Sequence, residues 1–165
     1  MSENLVKSIY LGIGSNLGNR RKNIELAKFK LVENGIKIKK MSKFYQSLSW
    51  PNSNDPKFFN IVLEVVTDLS PLNLLFICKK IEIFLGRKKR LRNSPRECDI
   101  DIIDYANIKE TNQIILPHPR MHKRNFVLLP LYELNKDWIH PVSKQPIKKL
   151  ILSLSNKDIR SIKQI

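Results

Sequence analysis

Two aspartates two residues apart, Asp99 and Asp101, stand in the segment RNSPRECDIDIIDY (residues 92–105), directly after a loop crowded with cations. In a strand, successive side chains alternate faces, so Asp99 and Asp101 point one way and Ile100 and Ile102 the other. Their backbones then lie roughly 6.5–7 Å apart, close enough for the carboxylates to converge on one ion. Two carboxylates on a partly buried face repel each other unless a cation resolves the conflict. Magnesium suits this arrangement, because it takes one or two carboxylates and completes its shell with substrate phosphates. A wet strand edge explains the spacing equally well. Glu97 shares the parity and adds charge if the strand reaches back that far.

The loop tips that balance. Residues 87–96 hold Arg87, Lys88, Lys89, Arg90, Arg92 and Arg96. Guanidinium forks match phosphate oxygens, and a cation cluster beside paired aspartates supplies what phosphoryl transfer requires. That chemistry asks the protein for charge neutralisation and in-line positioning more than for covalent help. A solvated loop or an RNA-binding patch is the competing explanation, weakened because carboxylates beside the cluster repel nucleic acid.

Other motifs carry less. Gly12-Ile13-Gly14-Ser15-Asn16-Leu17 opens like a dinucleotide fingerprint but has Leu17 where the third glycine belongs. There is no Walker A sequence. His118 and His122 have helical ligand spacing, yet Pro117 and Pro119 argue against a helix there. His140 precedes Pro141 in an expected loop and receives no role. Cys78 and Cys98 sit in apolar periodic segments and are expected to be buried free thiols.

The elements that must position these groups follow from periodicity. Leu5–Ile13 reads as a strand ended by glycines. Asn19 then caps a helix with Ile24, Ala27 and Leu31 on its apolar stripe, and Gly35 ends it. A second strand is expected from Ile36 to Gln46, followed by the long loop SLSWPNSNDP. Phe58–Thr67 is a third strand. Ser70 and Pro71 open a second helix whose stripe is Leu74, Cys78, Ile81 and Leu85, stopped by Gly86. After the basic loop comes a strand over Cys98–Tyr105. A short strand near Ile114–Leu116, a helix in the second half of LPHPRMHKRNFVLLPL and a helix near Ile147–Leu154 complete the reading. The order βαββαβ fits a ferredoxin-like α+β sandwich with a mostly antiparallel sheet and extra C-terminal elements.

Composition sets the outer bounds. The 165 residues suit one domain spanning 1–165, with 42% hydrophobic and 27% charged residues. Thirty Lys+Arg against fifteen Asp+Glu give a formal +15. Such an excess attracts polyanions, although most lysines are scattered and only the arginine cluster asks for a specific partner. The first residues lack a secretory leader's basic start and unbroken apolar run, and no apolar stretch nears membrane-spanning length. A reduced cytoplasm, no membrane and no nucleic-acid partner are the expectations.

An ordered set of residues also resembles a known family. It comprises Gly14-Ser15-Asn16-Leu17-Gly18, Phe44-Tyr45, Phe58-Phe59-Asn60, Glu82 through Gly86-Arg87, Pro95-Arg96 with Asp99 and Asp101, and Leu116-Pro117-His118-Pro119-Arg120-Met121 through Arg124 and Phe126. Over residues 8–135 the chain resembles the hydroxymethyldihydropterin pyrophosphokinases, which move the terminal diphosphate of ATP onto a pterin alcohol, release AMP and have a ferredoxin-like fold.

The resemblance implies two Mg2+ ions on Asp99 and Asp101, with Arg87 and Arg96 stabilising the transferred group and Arg96 approaching the pterin hydroxyl. It implies ATP contacts from Arg92, His118 and Arg124, from Glu82 close to the nucleotide, and from the backbone near Ile102. It implies a pterin gripped by Ser47, Leu48, Trp50 and the Asn60 amide, between the Phe58 and Phe126 rings. A flat polar heterocycle suits two aromatic faces and an amide reading its edge; either ring taken alone is better explained by core packing. The chain departs from the common pattern at Asn93-Ser94, where Trp-Gly is frequent, at Glu97 for threonine, at Leu48-Ser49 for prolines, and at Phe58 for tyrosine. ATP and the hydroxymethyl-dihydropterin are the expected small-molecule partners, and a monomer the expected state.

Overall fold

A computed structural model describes residues 8–165. The elements run β1 (Ile9–Ser15), α1 (Arg20–Glu33), β2 (Lys37–Met41), β3 (Tyr45–Ser47), β4 (Phe58–Val66), α2 (Pro71–Phe84) and β5 (Asp99–Tyr105). A 3-10 turn at Met121–Lys123 leads to α3 (Asn125–Leu134), α4 (Ile147–Leu152), α5 (Asn156–Ser161) and β6 (Lys163–Gln164). Residues 5–7 of the expected first strand lie outside the described residues.

The sheet order is β5-β1-β4-β3-β6, with β2 also on β4, and every pairing is antiparallel. With β2 and β3 counted as one broken strand, this is the ferredoxin-like βαββαβ arrangement. Alternation along the strands gives the sheet two apolar faces. Leu11, Ile13, Ile61, Leu63 and Ile100 pack under α1 and α2, while Tyr10, Val62 and Ile103 pack under α3 and α4.

The helix signals act as chemistry requires. The Asn19 side chain accepts from the Lys22 amide and Ser70 from the Asn73 amide, each satisfying one otherwise unpaired first-turn donor. Gly35 and Gly86 end their helices at φ of 79° and 104°, backbone that favours glycine.

Three expectations need correction. The strand expected over 36–46 is broken: Met41 faces Leu63 and Tyr45 faces Asn60, so four steps on one side match three on the other. Ser42 absorbs the extra residue, its hydroxyl accepting from the Val62 amide in place of a ladder carbonyl. The strand expected near 114–116 is a single bridge between Glu110 and Leu116, cut short by Pro117, which has no N–H to continue a ladder. Finally, the C-terminal end adds α5 and β6, which periodicity alone did not suggest because both are short.

Candidate active site

The site grows from one face of three neighbouring strands. On β1, Gly12 and Gly14 alternate with the core residues Leu11 and Ile13 and present no side chain to the α3 side. Gly14 pairs with Asp99 of β5 on one flank and Asn60 of β4 on the other, and Gly12 pairs with Asp101 and Val62. A row Asp99–Gly14–Asn60 therefore crosses the sheet, with the acid and the amide roughly 10 Å apart over a bare glycine. A Cβ on Gly14 would come within 3.1 Å of Asn60 Oδ1 and 3.3 Å of a Phe58 ring carbon. The floor is open because those positions are glycine.

Asp99 and Asp101 do share a face, half-exposed, while Ile100 and Ile102 are buried in the opposite core. The pattern stops where a bulge inserts Ile103, so that Ile103 and Asp104 both turn toward the α3 side. Glu97 lies before the strand, beside Gly86, with Arg90 at 3.5 Å, and does not join the acidic pair.

Guanidiniums surround the carboxylates. Arg87 Nη1 donates to Asp99 Oδ1 at 2.8 Å and Arg96 Nη2 to Asp99 Oδ2 at 2.7 Å. Arg124 Nη1 donates to Asp101 Oδ2 at 3.1 Å, and His118 Nε2 lies 3.7 Å from the same oxygen. Burial alone would raise the Asp99 carboxyl, but Arg96 and Arg87 outweigh it and hold Asp99 below the usual carboxylate range. Burial lowers His118, with only partial compensation from Asp101. Its Nδ1 accepts from the Arg120 amide, so the neutral ring carries its proton on Nε2, toward Asp101.

Two clefts meet at the aspartates. One, of about 540 Å³, is lined by Ser47, Leu48, Trp50, Phe58, Asn60 and Phe126 together with Arg96, Asp99, Asp101 and Arg124. The other, of about 390 Å³, is polar and is lined by Arg87, Arg92, His118 and the loop cations, again with Arg96, Asp99, Asp101 and Arg124. The Asn60 amide donates to Ser47 Oγ at 2.9 Å, which fixes its orientation. Trp50 is 69% exposed at the rim.

Two anticipated residues line neither cleft. Glu82 is 1% exposed beneath the floor, where it accepts from Lys79, Arg87 and the Ile100 amide. Burial raises its carboxyl despite those donors. Its place is under Arg87, orienting that side chain. The Ile102 side chain is in the core on the far face.

The residue that spacing missed is Asn16, 2% exposed in the turn after β1. Its Oδ1 accepts from the Arg96 amide at 2.8 Å, and its Nδ2 donates to Ser49 Oγ and the Pro56 carbonyl. One amide thus ties the basic loop to the 47–56 loop. An Asn in a glycine-flanked turn looks like ordinary turn chemistry, and nothing local signals its distant partners. Arg120 and Lys123, which also line the larger cleft, gave no periodic signal either.

The donor set suits a hard divalent ion: carboxylate oxygens on adjacent same-face positions, opening to a cleft. Among the described residues no cluster of three or more His, Cys, Asp or Glu forms a metal cage. An ion at Asp99 and Asp101 would complete its shell with phosphate oxygens and water, the usual habit of magnesium.

Fold and site together define a class: a ferredoxin-like α+β domain whose sheet carries paired acids between an aromatic pocket and a guanidinium-rich one. The profile of the 7,8-dihydro-6-hydroxymethylpterin-pyrophosphokinase (HPPK) family matches residues 10–136, and the chain belongs to that family. It is 41% identical over 143 residues to the 2-amino-4-hydroxy-6-hydroxymethyldihydropteridine pyrophosphokinase of Aquifex aeolicus, covering 86% of this chain and 89% of the relative. The Bacillus subtilis protein of the same description is 38% identical over 128 residues, 76% of each. The folic acid synthesis protein fol1 of Pneumocystis carinii is 39% identical over 164 residues, 98% of this chain, of which the chain spans only 22%. A crystal structure of Plasmodium falciparum HPPK-DHPS with pteroate superposes with a TM-score of 0.73 at 17% identity, over 100% of this chain and 47% of that one, a likeness of fold.

Proposed function

We propose that this pyrophosphokinase of folate biosynthesis, acting as one domain, transfers the diphosphate of ATP to the hydroxymethyl group of 6-hydroxymethyl-7,8-dihydropterin at the junction of the two clefts, with AMP as the leaving group. The observation that carries the proposal is the same-face pair Asp99 and Asp101, with the aromatic, amide-bearing cleft on one side and the arginine-lined cleft on the other.

The pterin lies in the larger cleft, its rings against Phe58 and Phe126 and its polar edge read by Asn60, whose position Ser47 fixes. Leu48 and Trp50 close the rim. ATP phosphates lie in the polar cleft against Arg87, Arg92, His118 and Arg124. The adenine meets the backbone near Ile102, and Glu82 acts from beneath by holding Arg87. Two magnesium ions held by Asp99 and Asp101 supply charge neutralisation at the phosphates when bound. Arg87, Arg96 and Arg124 balance the acids without ligands. Their forks turn to phosphate oxygens once cations and nucleotide are present.

The hydroxymethyl oxygen attacks the β-phosphorus in line. The bond from that phosphorus to the α–β bridging oxygen breaks, AMP leaves, and the hydroxyl proton passes to solvent or a phosphate oxygen. Arg87 and Arg96 stabilise the charge on the transferred group. Closure of the 47–56 and 87–96 loops, already joined through Asn16, excludes water that would hydrolyse ATP.

Two buried free thiols favour a reduced cytoplasmic setting, in which the enzyme acts as a monomer. Among the described residues, no helix is long and apolar enough to cross a membrane. The test is chromatographic: protein, ATP, magnesium and the hydroxymethyl-dihydropterin should yield AMP, and omission of the pterin should suppress it. AMP yields equal with and without pterin would overturn the proposal.

A further inference from the structure

The last eleven residues join the two walls of the larger cleft. On one wall, β6 adds a strand to β3, pairing Gln164 with Tyr45 and Lys163 with Gln46, and the Ile165 amide donates to the Phe44 carbonyl. β3 is only three residues long, and it ends in Ser47, which orients Asn60. Without β6 it would be an unprotected edge. On the other wall, Asn125 opens α3 between Arg124 and Phe126, both cleft residues. Its Nδ2 donates to the Asp158 carbonyl at 2.7 Å and to Ser161 Oγ at 3.3 Å, holding α5 against the start of α3. Between the two attachments Ile162 is 8% exposed, the apolar pin of the segment. Lys157, Asp158 and Ser161 themselves line the cleft. The family match ends at residue 136, well before this segment.

We infer that residues 155–165 are a clasp that sets the distance between the Ser47–Asn60 wall and the Phe126 wall, and so governs affinity for the heterocycle while leaving the nucleotide cleft untouched. The inference rests on the pterin site proposed above. The clasp residues line only the larger cleft and reach the polar one only through Arg124, the residue before Asn125, so the effect should fall chiefly on the heterocycle. A flat ring between two aromatic faces is sensitive to their separation, since misplacement by an ångström weakens stacking and hydrogen bonds together. Ile162 lines neither cleft, acts through other residues and is a positioning residue, whereas Asn125 both holds the clasp and lines the larger cleft, so the two variants together separate positioning from direct contact.

The full-length Asn125→Ala and Ile162→Asp variants test this by steady-state kinetics, with each substrate varied in turn. The expected result is a KM for the pterin raised about tenfold, roughly the loss of one well-placed hydrogen bond. KM for ATP and kcat should stay within about twofold. Ile162→Val should restore wild-type behaviour, which separates loss of the pin from any change at that position. An unchanged KM for the pterin in Asn125→Ala overturns the clasp, as does a parallel rise in both KM values. Should Ile162→Asp fail to fold, Asn125→Ala decides alone. Absence of pterin-dependent AMP in the wild-type enzyme would sink the site reading instead; wild-type turnover with unaffected variants would sink only the clasp.

Discussion

Asp99 has both oxygens occupied by guanidiniums, and Asp101 one, so the acids are compensated before any cation arrives. Removing Asp99 leaves Arg87 on Glu82 and Arg96 on the Ser94 carbonyl, and removing Asp101 frees Arg124, whose side chain still reaches solvent at the cleft, so the fold should survive either change. Asp99→Ala or Asp101→Ala should therefore cut pterin-dependent AMP release by about 10³-fold or more. The melting temperature should stay within a few degrees. Wild-type turnover in either variant would remove the metal-site reading. For the same reason, EDTA in excess should stop turnover and added magnesium should restore it, with far-UV dichroism unchanged throughout; turnover that persists in EDTA would count against a magnesium-dependent site. Glu82 shows how far residue type alone carries. The resemblance sets it close to the nucleotide, whereas burial puts it under the floor, in contact with Arg87.

At the level of elements, β1 matters as much by what it lacks as by what it holds. Gly14→Ala would put a methyl 3.1 Å from Asn60 Oδ1 and 3.3 Å from the Phe58 ring, forcing both to shift at the proposed pterin site. The expected outcome is a KM for the pterin raised about tenfold or more with nucleotide affinity retained, measured by titrating a non-hydrolysable ATP analogue. Equal losses for both ligands would place the effect in the fold instead. Ser70 offers a purely structural counterpart: Ser70→Ala removes the α2 cap and should cost about 1 kcal/mol in urea unfolding without altering kcat/KM. Helix positions and caps were legible because they depend on residues three or four apart. The broken second strand was not, because Ser42 answers to Val62, twenty positions away.

Across the whole molecule, the two cysteines give a simple check on packing. Burial pushes the Cys78 thiol up to about 12 and Cys98 higher still, so neither should react with an aromatic disulfide reagent at pH 8 until denaturant is added. Release of thiol from the native protein on mixing would contradict that packing. The same comparison of local and distant effects separates what each level of description decides. The amino-acid sequence by itself determined the element order through the strand segments that contain residues 99–105, the shared face of Asp99 and Asp101, the cations beside them, and a family resemblance that holds. Those rest on alternation, helical spacing and chemistry between near neighbours. Only the tertiary structure decided that Gly14 brings Asp99 and Asn60 into one row, that Asn16 ties two loops, that Glu82 lies beneath the site and that the C-terminal residues span the cleft. Such facts come from strand register and from hydrogen bonds between residues as distant in sequence as Phe44 and Ile165, and a local pattern does not encode which distant partner closes a given edge.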